Sequence, residues 1–218
     1  MTPARARSVH LVVAVVAWAA VVLQLVLVLL GSAVLVEEDP PGRAESVYRF
    51  FAYFTIQSNL LVALTSTVLA RDPALDRPGW RVARLAGLVG ITVTGLVHFF
   101  LLRPLLDLDG ADWVADKLLH MVVPVLALAA WTLVGPRPRI GVREATYALC
   151  WPLAWLVWTL VVGEVDGWVP YPFLDAGTEG WAAVAVVSVG ITALFLLLFG
   201  AFGWLDRRLV AVPRSDAR

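Results

Sequence analysis

Hydrophobic positions in this chain are grouped into long blocks rather than into the short alternating patterns of a soluble domain. Six blocks are long enough to cross the roughly 30 Å hydrocarbon layer of a bilayer as helices. They are predicted at residues 9–30, 50–70, 82–102, 118–134, 145–162 and 181–205. Because the connecting segments are short, we predict a single domain over residues 1–218, an all-α polytopic membrane protein with six transmembrane helices.

The distribution of charge orients these predicted helices. Basic and acidic residues both number 17, so the formal net charge is zero. When the charges are assigned to alternate sides of the six spans, 13 of the 17 basic residues share a side with both termini. On the opposite side lie 12 of the 17 acidic residues. Since cytoplasmic segments are enriched in Lys and Arg, we predict that both termini are cytoplasmic.

Composition excludes several classes of protein. Hydrophobic residues make up 60% of the chain and charged residues 16%, against about 45–50% and about 25% in soluble domains. A soluble globular enzyme is therefore excluded. The zero net charge offers no broad basic surface, so we predict no nucleic-acid partner. The single cysteine, Cys150, excludes an intrachain disulfide and a cysteine-based zinc site.

Polar side chains inside membrane helices are costly and are often functional. The inner halves of the predicted helices carry no comparable set of polar residues. The polar residues in the outer halves are Gln24, Thr55, Asn59, His98, His120 and Glu164. Thr55 and Asn59 are four residues apart and share a helix face, as do Asp116 and His120. The pattern therefore predicts a polar site near the outer face.

These residue types favour acyl-transfer chemistry. Thr55 would be the nucleophile and His120 its general base, with Asp116 orienting the imidazole. Asn59 could donate a hydrogen bond to an oxyanion. Each residue also has a structural interpretation: Thr55 can bond to its own helix, Asn59 can link two helices, and Asp116 can be a solvated residue at a helix mouth.

Two further features concern packing. Residues 167–175 combine two prolines, three aromatic residues and an acid, which predicts an ordered cap on the side of Thr55, either a lid or a structural plug. The third predicted helix carries Gly87, Gly90 and Gly95. Small residues in a membrane helix indicate a close approach of neighbouring helices.

Three strings carry a resemblance to a known family: residues 53–61 (YFTIQSNLL), 119–124 (LHMVVP) and 171–175 (YPFLD). In this order they resemble the bacterial six-pass "Pr-six-Pr" membrane proteins. That family is distantly similar to the eukaryotic androgen-induced proteins, which hydrolyse fatty-acid esters of hydroxy fatty acids with a Thr and a His. The resemblance implies a bacterial plasma-membrane protein in which Thr55 and His120 are catalytic. The eukaryotic motif has an Asn-His pair shortly before the catalytic His, where this chain has residues 116–119 (DKLL).

The leading hypothesis is an intramembrane threonine hydrolase of lipid-like esters, with its site near the outer face. Thr55 and His120 would be catalytic, Asn59, Asp116 and His98 supporting, and neither a metal nor another cofactor is expected. Membrane lipids are the predicted partners, and the oligomeric state is left open. One alternative is a non-enzymatic lipid-binding or small-solute transport protein. In another, His98 and His120 ligate a haem or a metal, although two ligands are few for such a site.

Overall fold

A computed structural model describes residues 2–32, 41–137 and 139–209, and within these ranges the chain is helical, with no β-strand. The α-helices are α1 (Pro3–Leu29), α2 (Arg43–Ala52), α3 (Phe54–Arg71), α4 (Pro78–Val97), α5 (Gly110–Lys117), α6 (Val123–Val134), α7 (Val142–Asp166), α8 (Ala176–Glu179) and α9 (Trp181–Arg208). A π-helical turn, His98–Leu102, continues α4, and a second, Leu118–Val122, joins α5 to α6. Short 3₁₀ turns follow at Arg103–Leu105 and Pro172–Leu174. The all-α prediction is confirmed.

Five helical stretches are long and apolar enough to cross a membrane: Pro3–Leu29, Pro78–Leu105, Gly110–Val134, Val142–Asp166 and Trp181–Arg208. The predicted second span differs from a single straight helix. Its residues are divided between α2 and α3. Together these two helices are long and apolar enough to cross a membrane, but they are bent by 68° relative to each other. The described residues therefore hold five candidate spans, or six if the bent pair is one span. Of the charges used for orientation, those at residues 37–39 and 214–218 lie outside the described ranges.

The bend between α2 and α3 corrects the prediction that one helix runs from Phe50. Tyr53 has an extended backbone (φ −63°, ψ 127°), so α2 ends before it and α3 begins after it. The last carbonyls of a helix need partners from elsewhere. Here the Gln57 side chain donates to the Phe51 carbonyl (3.0 Å) and the Trp155 indole donates to the Ala52 carbonyl (2.8 Å). The break is therefore stabilised by side chains outside α2.

The centre of the bundle is formed by α1, α3 and α4, and α6 packs against both α1 and α4. Helices α7 and α9 each pack on α4 from the periphery. They carry exposed apolar side chains such as Val157 (63% exposed) and Leu197 (67% exposed). Apolar side chains on the outside of a bundle suit a hydrocarbon environment, because lipid tails are as apolar as the side chains themselves.

Close packing around the three glycines of α4 agrees with the sequence prediction. A Cβ atom at Gly87 would lie 3.3 Å from the Leu61 Cβ, and one at Gly95 would lie 3.2 Å from the His120 carbonyl oxygen. At Gly90 it would lie 2.8 Å from the Trp151 ring. These contacts let α3, the second π turn and α7 approach the backbone of α4.

The Gly90→Ala variant is expected to be less stable by about 1–3 kcal/mol, because overpacking a filled interior forces its neighbours to shift. The Trp151 ring cannot move freely, since it stacks on Phe54 (4.5 Å between centroids) and donates to the Gln57 side chain (3.0 Å). Reversible unfolding in detergent micelles measures the difference. Gly190→Ala is the matched control, because a Cβ there meets nothing within 4 Å. Equal stability of the two variants would contradict this packing argument.

A buried polar set also occupies the end of the bundle opposite Thr55, which the sequence analysis did not predict. The Arg84 side chain donates to backbone carbonyls of the segment after α6, including that of Pro136 (3.1 Å). The buried Asp206 carboxylate accepts from the Ile140 backbone N–H (2.8 Å). His10 is buried nearby and lines a small cavity with Arg84. These contacts fix a loop rather than converge on one reacting point.

Candidate active site

Two histidines face each other from the two π-helical turns. His98 is the first residue of one turn and His120 the middle residue of the other. Their imidazole rings are stacked, with centroids 3.9 Å apart and an angle of 9° between the ring planes. π-Helical turns inside α-helices are rare and frequently occur at functional sites. Gly95, one turn before His98, allows this close approach.

The Asp116 carboxylate lies beside both imidazoles. Its Oδ1 is 3.0 Å from His120 Nδ1 and 3.4 Å from His98 Nε2, and its Oδ2 is 2.6 Å from the Lys117 ammonium. The alternative of a solvated residue at a helix mouth is wrong, because Asp116 is only 5% exposed. The helix begins at Gly110 rather than at residue 118, which places Asp116 inside it. The Asp116 carboxylate therefore lies close enough to orient the His120 imidazole.

The neighbours of His120 determine which of its nitrogens is free. Nδ1 lies 3.0 Å from the Asp116 carbonyl oxygen as well as 3.0 Å from the carboxylate, and both of these groups only accept hydrogen bonds. A neutral imidazole here therefore carries its proton on Nδ1, and Nε2 keeps an unshared electron pair. That Nε2 lies 3.3 Å from Thr55 Oγ1. His120 is thus poised to accept the proton of the Thr55 hydroxyl.

Thr55 is buried in the first turn of α3, and its hydroxyl does not bond to its own helix. It faces His120 on one side and the Tyr171 hydroxyl (3.2 Å) on the other. By contrast, the hydroxyls of Thr65 and Thr67 donate to carbonyls one turn back on α3. Within the described residues, Thr55 therefore has the contacts expected of a nucleophile rather than those of an ordinary membrane threonine.

Tyr171 completes this hydrogen-bonded chain, and its role was not predicted from the sequence. Its hydroxyl oxygen accepts from the Thr55 backbone N–H (3.1 Å), so the hydroxyl hydrogen is available to Thr55 Oγ1. Burial raises the pKa of the Tyr171 phenol above its usual value, so the group stays protonated. The hydrogen bonds then all run in one direction: Tyr171 donates to Thr55, Thr55 donates to His120, and His120 donates to Asp116.

The segment after Tyr171 is ordered, as its composition predicted. The Tyr171 ring stacks on Phe173 (5.3 Å between centroids) and meets the edge of Tyr53 (5.6 Å). A 3₁₀ turn follows, and the Asp175 carboxylate then caps α8 by accepting from the Gly177 N–H (2.8 Å). The signal in the sequence was the dense aromatic and proline string. That string of residues contains no pattern from which the contact between the Tyr171 hydroxyl and Thr55 could be predicted.

Of the two roles considered for Asn59, the structure shows the link between helices rather than the oxyanion donor. Its side-chain Nδ2 donates to the Thr55 carbonyl (2.8 Å) and to the Leu119 carbonyl (3.3 Å). Both amide hydrogens are therefore used, so Asn59 does not offer a donor to an oxyanion. It instead ties α3 to the π turn of His120 and fixes the distance between nucleophile and base.

A cavity of about 360 Å³ opens beside these groups, within the range of about 300–1,000 Å³ typical of ligand sites. We call it the histidine cavity. Its wall includes both histidines, Thr55 and Tyr171, together with polar side chains from α1, the residues that follow it and α2: Gln24, Ser32, Ser46 and Arg49. Glu164, predicted to join this set, is exposed on α7 and does not line the cavity.

The same three side chains form the cluster in which a metal or a haem iron would have to be held. One donor atom each from His98, Asp116 and His120 lies within 4.8 Å of the others. A metal lies in the plane of each imidazole ligand, about 2.0–2.1 Å from the nitrogen for zinc. Two nearly parallel rings 3.9 Å apart cannot both have one ion in plane. The stacked arrangement therefore suits hydrogen bonding and does not fit a shared metal or haem iron.

No family model, curated protein or solved structure matches this chain. Within the described residues, the fold is all-helical with five or six helices able to span a membrane, and the site is a largely buried Thr–His–Asp arrangement on a cavity wall. Its function is therefore argued from the geometry of the site.

Proposed function

We propose that this protein is an intramembrane threonine hydrolase of lipid-like fatty-acid esters. The observation that carries the proposal is the 3.3 Å contact between Thr55 Oγ1 and His120 Nε2 on the wall of a cavity. We further propose six spans, with α2 and α3 forming a broken second span, and cytoplasmic termini in a bacterial plasma membrane. The site then lies near the outer face. The asymmetry of basic residues and the family resemblance support this topology.

The proposed reaction has two halves. Thr55 Oγ1 attacks the ester carbonyl carbon while its proton passes to His120 Nε2. The bond to the alcohol oxygen then breaks as His120 returns that proton to the leaving oxygen, which leaves the acyl group on Thr55. Water attacks the acyl group in the same way, releasing the fatty acid and restoring Thr55. The Asp116 carboxylate stabilises the imidazolium in both halves.

The start of α3 offers donors for the oxyanion. The break at Tyr53 leaves the first N–H groups of α3 pointing away from the helix, at its positive end. The Thr55 N–H and the Tyr171 hydroxyl lie together there (3.1 Å). Donors fixed before the reaction starts stabilise developing charge at little reorganisation cost. The ester carbonyl oxygen would replace part of the contact between these two groups.

The Tyr171→Phe variant is expected to lower kcat by about 10²-fold, the loss typical for one oxyanion donor. KM should change little, because the ring and its stacking on Phe173 are kept. Steady-state kinetics on reconstituted protein give both values. Tyr147→Phe is the matched control, since Tyr147 is exposed on α7. An unchanged kcat in folded Tyr171→Phe protein would exclude Tyr171 as a donor to the transition state.

The proposed function is tested with protein reconstituted into lipid nanodiscs and supplied with simple and branched fatty-acid esters. We expect wild-type protein to release fatty acid and His120→Ala to lose this activity. Acid quenching followed by peptide mass spectrometry should find an acyl group on Thr55 in the wild type. Hydrolysis that survives in both His120→Ala and Thr55→Ala would overturn the assignment.

A second candidate function is lipid binding or small-solute transport without turnover, which the histidine cavity supports by its size and mixed lining. Native mass spectrometry of the purified protein distinguishes the two functions. An intact lipid or solute that is retained and never cleaved favours binding or transport, whereas a retained fatty acid favours hydrolysis.

A further inference from the structure

A second cavity, of about 60 Å³, also adjoins Thr55 and lies among α4, α7 and α9. We call it the acyl cavity. Most of its wall is apolar, including Val93, Val97, Leu149, Leu156, Phe173 and Phe195. Thr55 and Tyr171 belong to the walls of both cavities. The proposed nucleophile therefore stands between two compartments of different chemistry.

The acyl cavity reaches the periphery of the bundle. Leu153 of α7 lines the cavity and is nevertheless 40% exposed. Across from it, α9 contributes Ser188 and Ile191 to the wall, and both are half-buried. Because α7 and α9 are the peripheral helices, the passage between them faces the surroundings of the bundle. A hydrocarbon chain lying in a bilayer could enter there without crossing a polar surface.

The two cavities differ in their access to the proposed base. His98 and His120 line the histidine cavity and do not line the acyl cavity. His120 must return a proton to the leaving alcohol oxygen and later take one from water, so both of these must lie on its side of Thr55. The acyl group, which stays on Thr55 between the two steps, must then occupy the opposite side.

We propose that the acyl cavity binds the hydrocarbon acyl arm of the substrate ester, while the alcohol arm lies in the histidine cavity. This inference rests on the proposed function, since it takes Thr55 as the nucleophile. The wall is mostly apolar, which favours the hydrocarbon of an acyl chain over a charged or strongly polar group. Departure of the alcohol empties the histidine cavity and admits water beside His120. Side chains that α7 and α9 place on this wall therefore affect how well a long acyl chain binds.

The first test narrows the acyl cavity without touching the reacting groups. Ser188→Leu adds a branched side chain, and the buried Ser188 hydroxyl has no hydrogen-bond partner among the described residues to lose. Acetate, butyrate, octanoate and palmitate esters of one fluorogenic alcohol are compared in nanodiscs. We expect kcat/KM to fall about tenfold or more for palmitate and octanoate, while acetate keeps its value. Ile191→Phe is a second filling variant in case the first does not fold.

Ala193→Leu is the matched control, because Ala193 is exposed on the same helix and does not line the acyl cavity. Its chain-length profile should equal that of the wild type. A profile that stays unchanged in folded Ser188→Leu and Ile191→Phe protein overturns the acyl cavity while leaving hydrolysis by Thr55 intact. An equal fall in kcat/KM for all four esters, acetate included, also overturns it. A wall that binds the acyl chain should affect long chains and leave acetate unchanged.

The second test does not depend on turnover. A palmitic acid analogue with a diazirine near its methyl end is irradiated with the protein in nanodiscs, and the labelled peptides are identified by mass spectrometry. We expect label on the cavity-facing residues of α7 and α9, and less of it in Ser188→Leu than in Ala193→Leu. Label there without any ester hydrolysis would support the hydrocarbon site and overturn the proposed function. Label confined to other helices would overturn the inference.

Discussion

The Thr55→Val variant is expected to lose ester hydrolysis by at least about 10³-fold, because valine keeps the shape of threonine and removes its hydroxyl. Removing the nucleophile of a hydrolytic triad leaves only the acceleration due to binding and oxyanion stabilisation. The backbone contact between the Thr55 N–H and Tyr171 does not need the side chain (3.1 Å). The fold should therefore persist. Initial rates in nanodiscs and the acyl adduct after acid quenching measure the effect.

Thr65→Val provides the matched control for this prediction. Thr65 is buried on the same helix, but its hydroxyl donates to the Leu61 carbonyl (2.6 Å) rather than to a histidine. We expect Thr65→Val to hydrolyse esters at nearly the wild-type rate, and Thr55→Ser to retain activity because its hydroxyl remains. Comparable rates for Thr55→Val and Thr65→Val would contradict a nucleophilic role for Thr55.

The positions of the long helices could be predicted because a membrane helix requires little more than length and apolarity. The break at Tyr53 could not be predicted in this way. The run from Phe50 through Phe54 contains neither proline nor glycine, so nothing local ends the helix. The carbonyl groups at the end of α2 find their partners elsewhere: Gln57 lies across the bend in α3, and Trp155 lies in α7. Tertiary contacts therefore decide this feature.

The candidate site was predictable to the extent that helical spacing determines it. Asp116 and His120 are four residues apart, and this spacing alone predicted that the carboxylate would orient the imidazole. The contact of Tyr171 with Thr55 spans 116 residues, and no local pattern indicates it. The stacking of His98 on His120 depends on two π turns, which the hydrophobic pattern does not reveal. Gly95 was the nearest signal, because it predicted a close approach at that height of α4.

The Asp116→Asn variant is expected to lower kcat by about 10²-fold. Two effects of the carboxylate must be separated: it holds the proton on His120 Nδ1, and its charge stabilises the imidazolium. In serine proteases the loss of both costs about 10⁴-fold, chiefly through the wrong tautomer. Here the Asp116 carbonyl also accepts from Nδ1 (3.0 Å), so the tautomer is retained and the charge alone is lost. A loss of 10²-fold corresponds to about 2.7 kcal/mol.

Asp112→Asn is the control, because Asp112 lies one turn earlier on the same helix and accepts from the Ser32 hydroxyl (2.5 Å) without contacting a histidine. Its kcat should remain near the wild-type value. Replacing Asp116 also leaves the Lys117 ammonium without its carboxylate partner, so thermal unfolding is measured for both variants. A folded Asp116→Asn protein with wild-type kcat would mean that His120 needs no counter-charge. The Asp116 carbonyl and the stacked ring of His98 would then be the groups that hold His120 in place, and His98→Ala would lower kcat where Asp116→Asn does not.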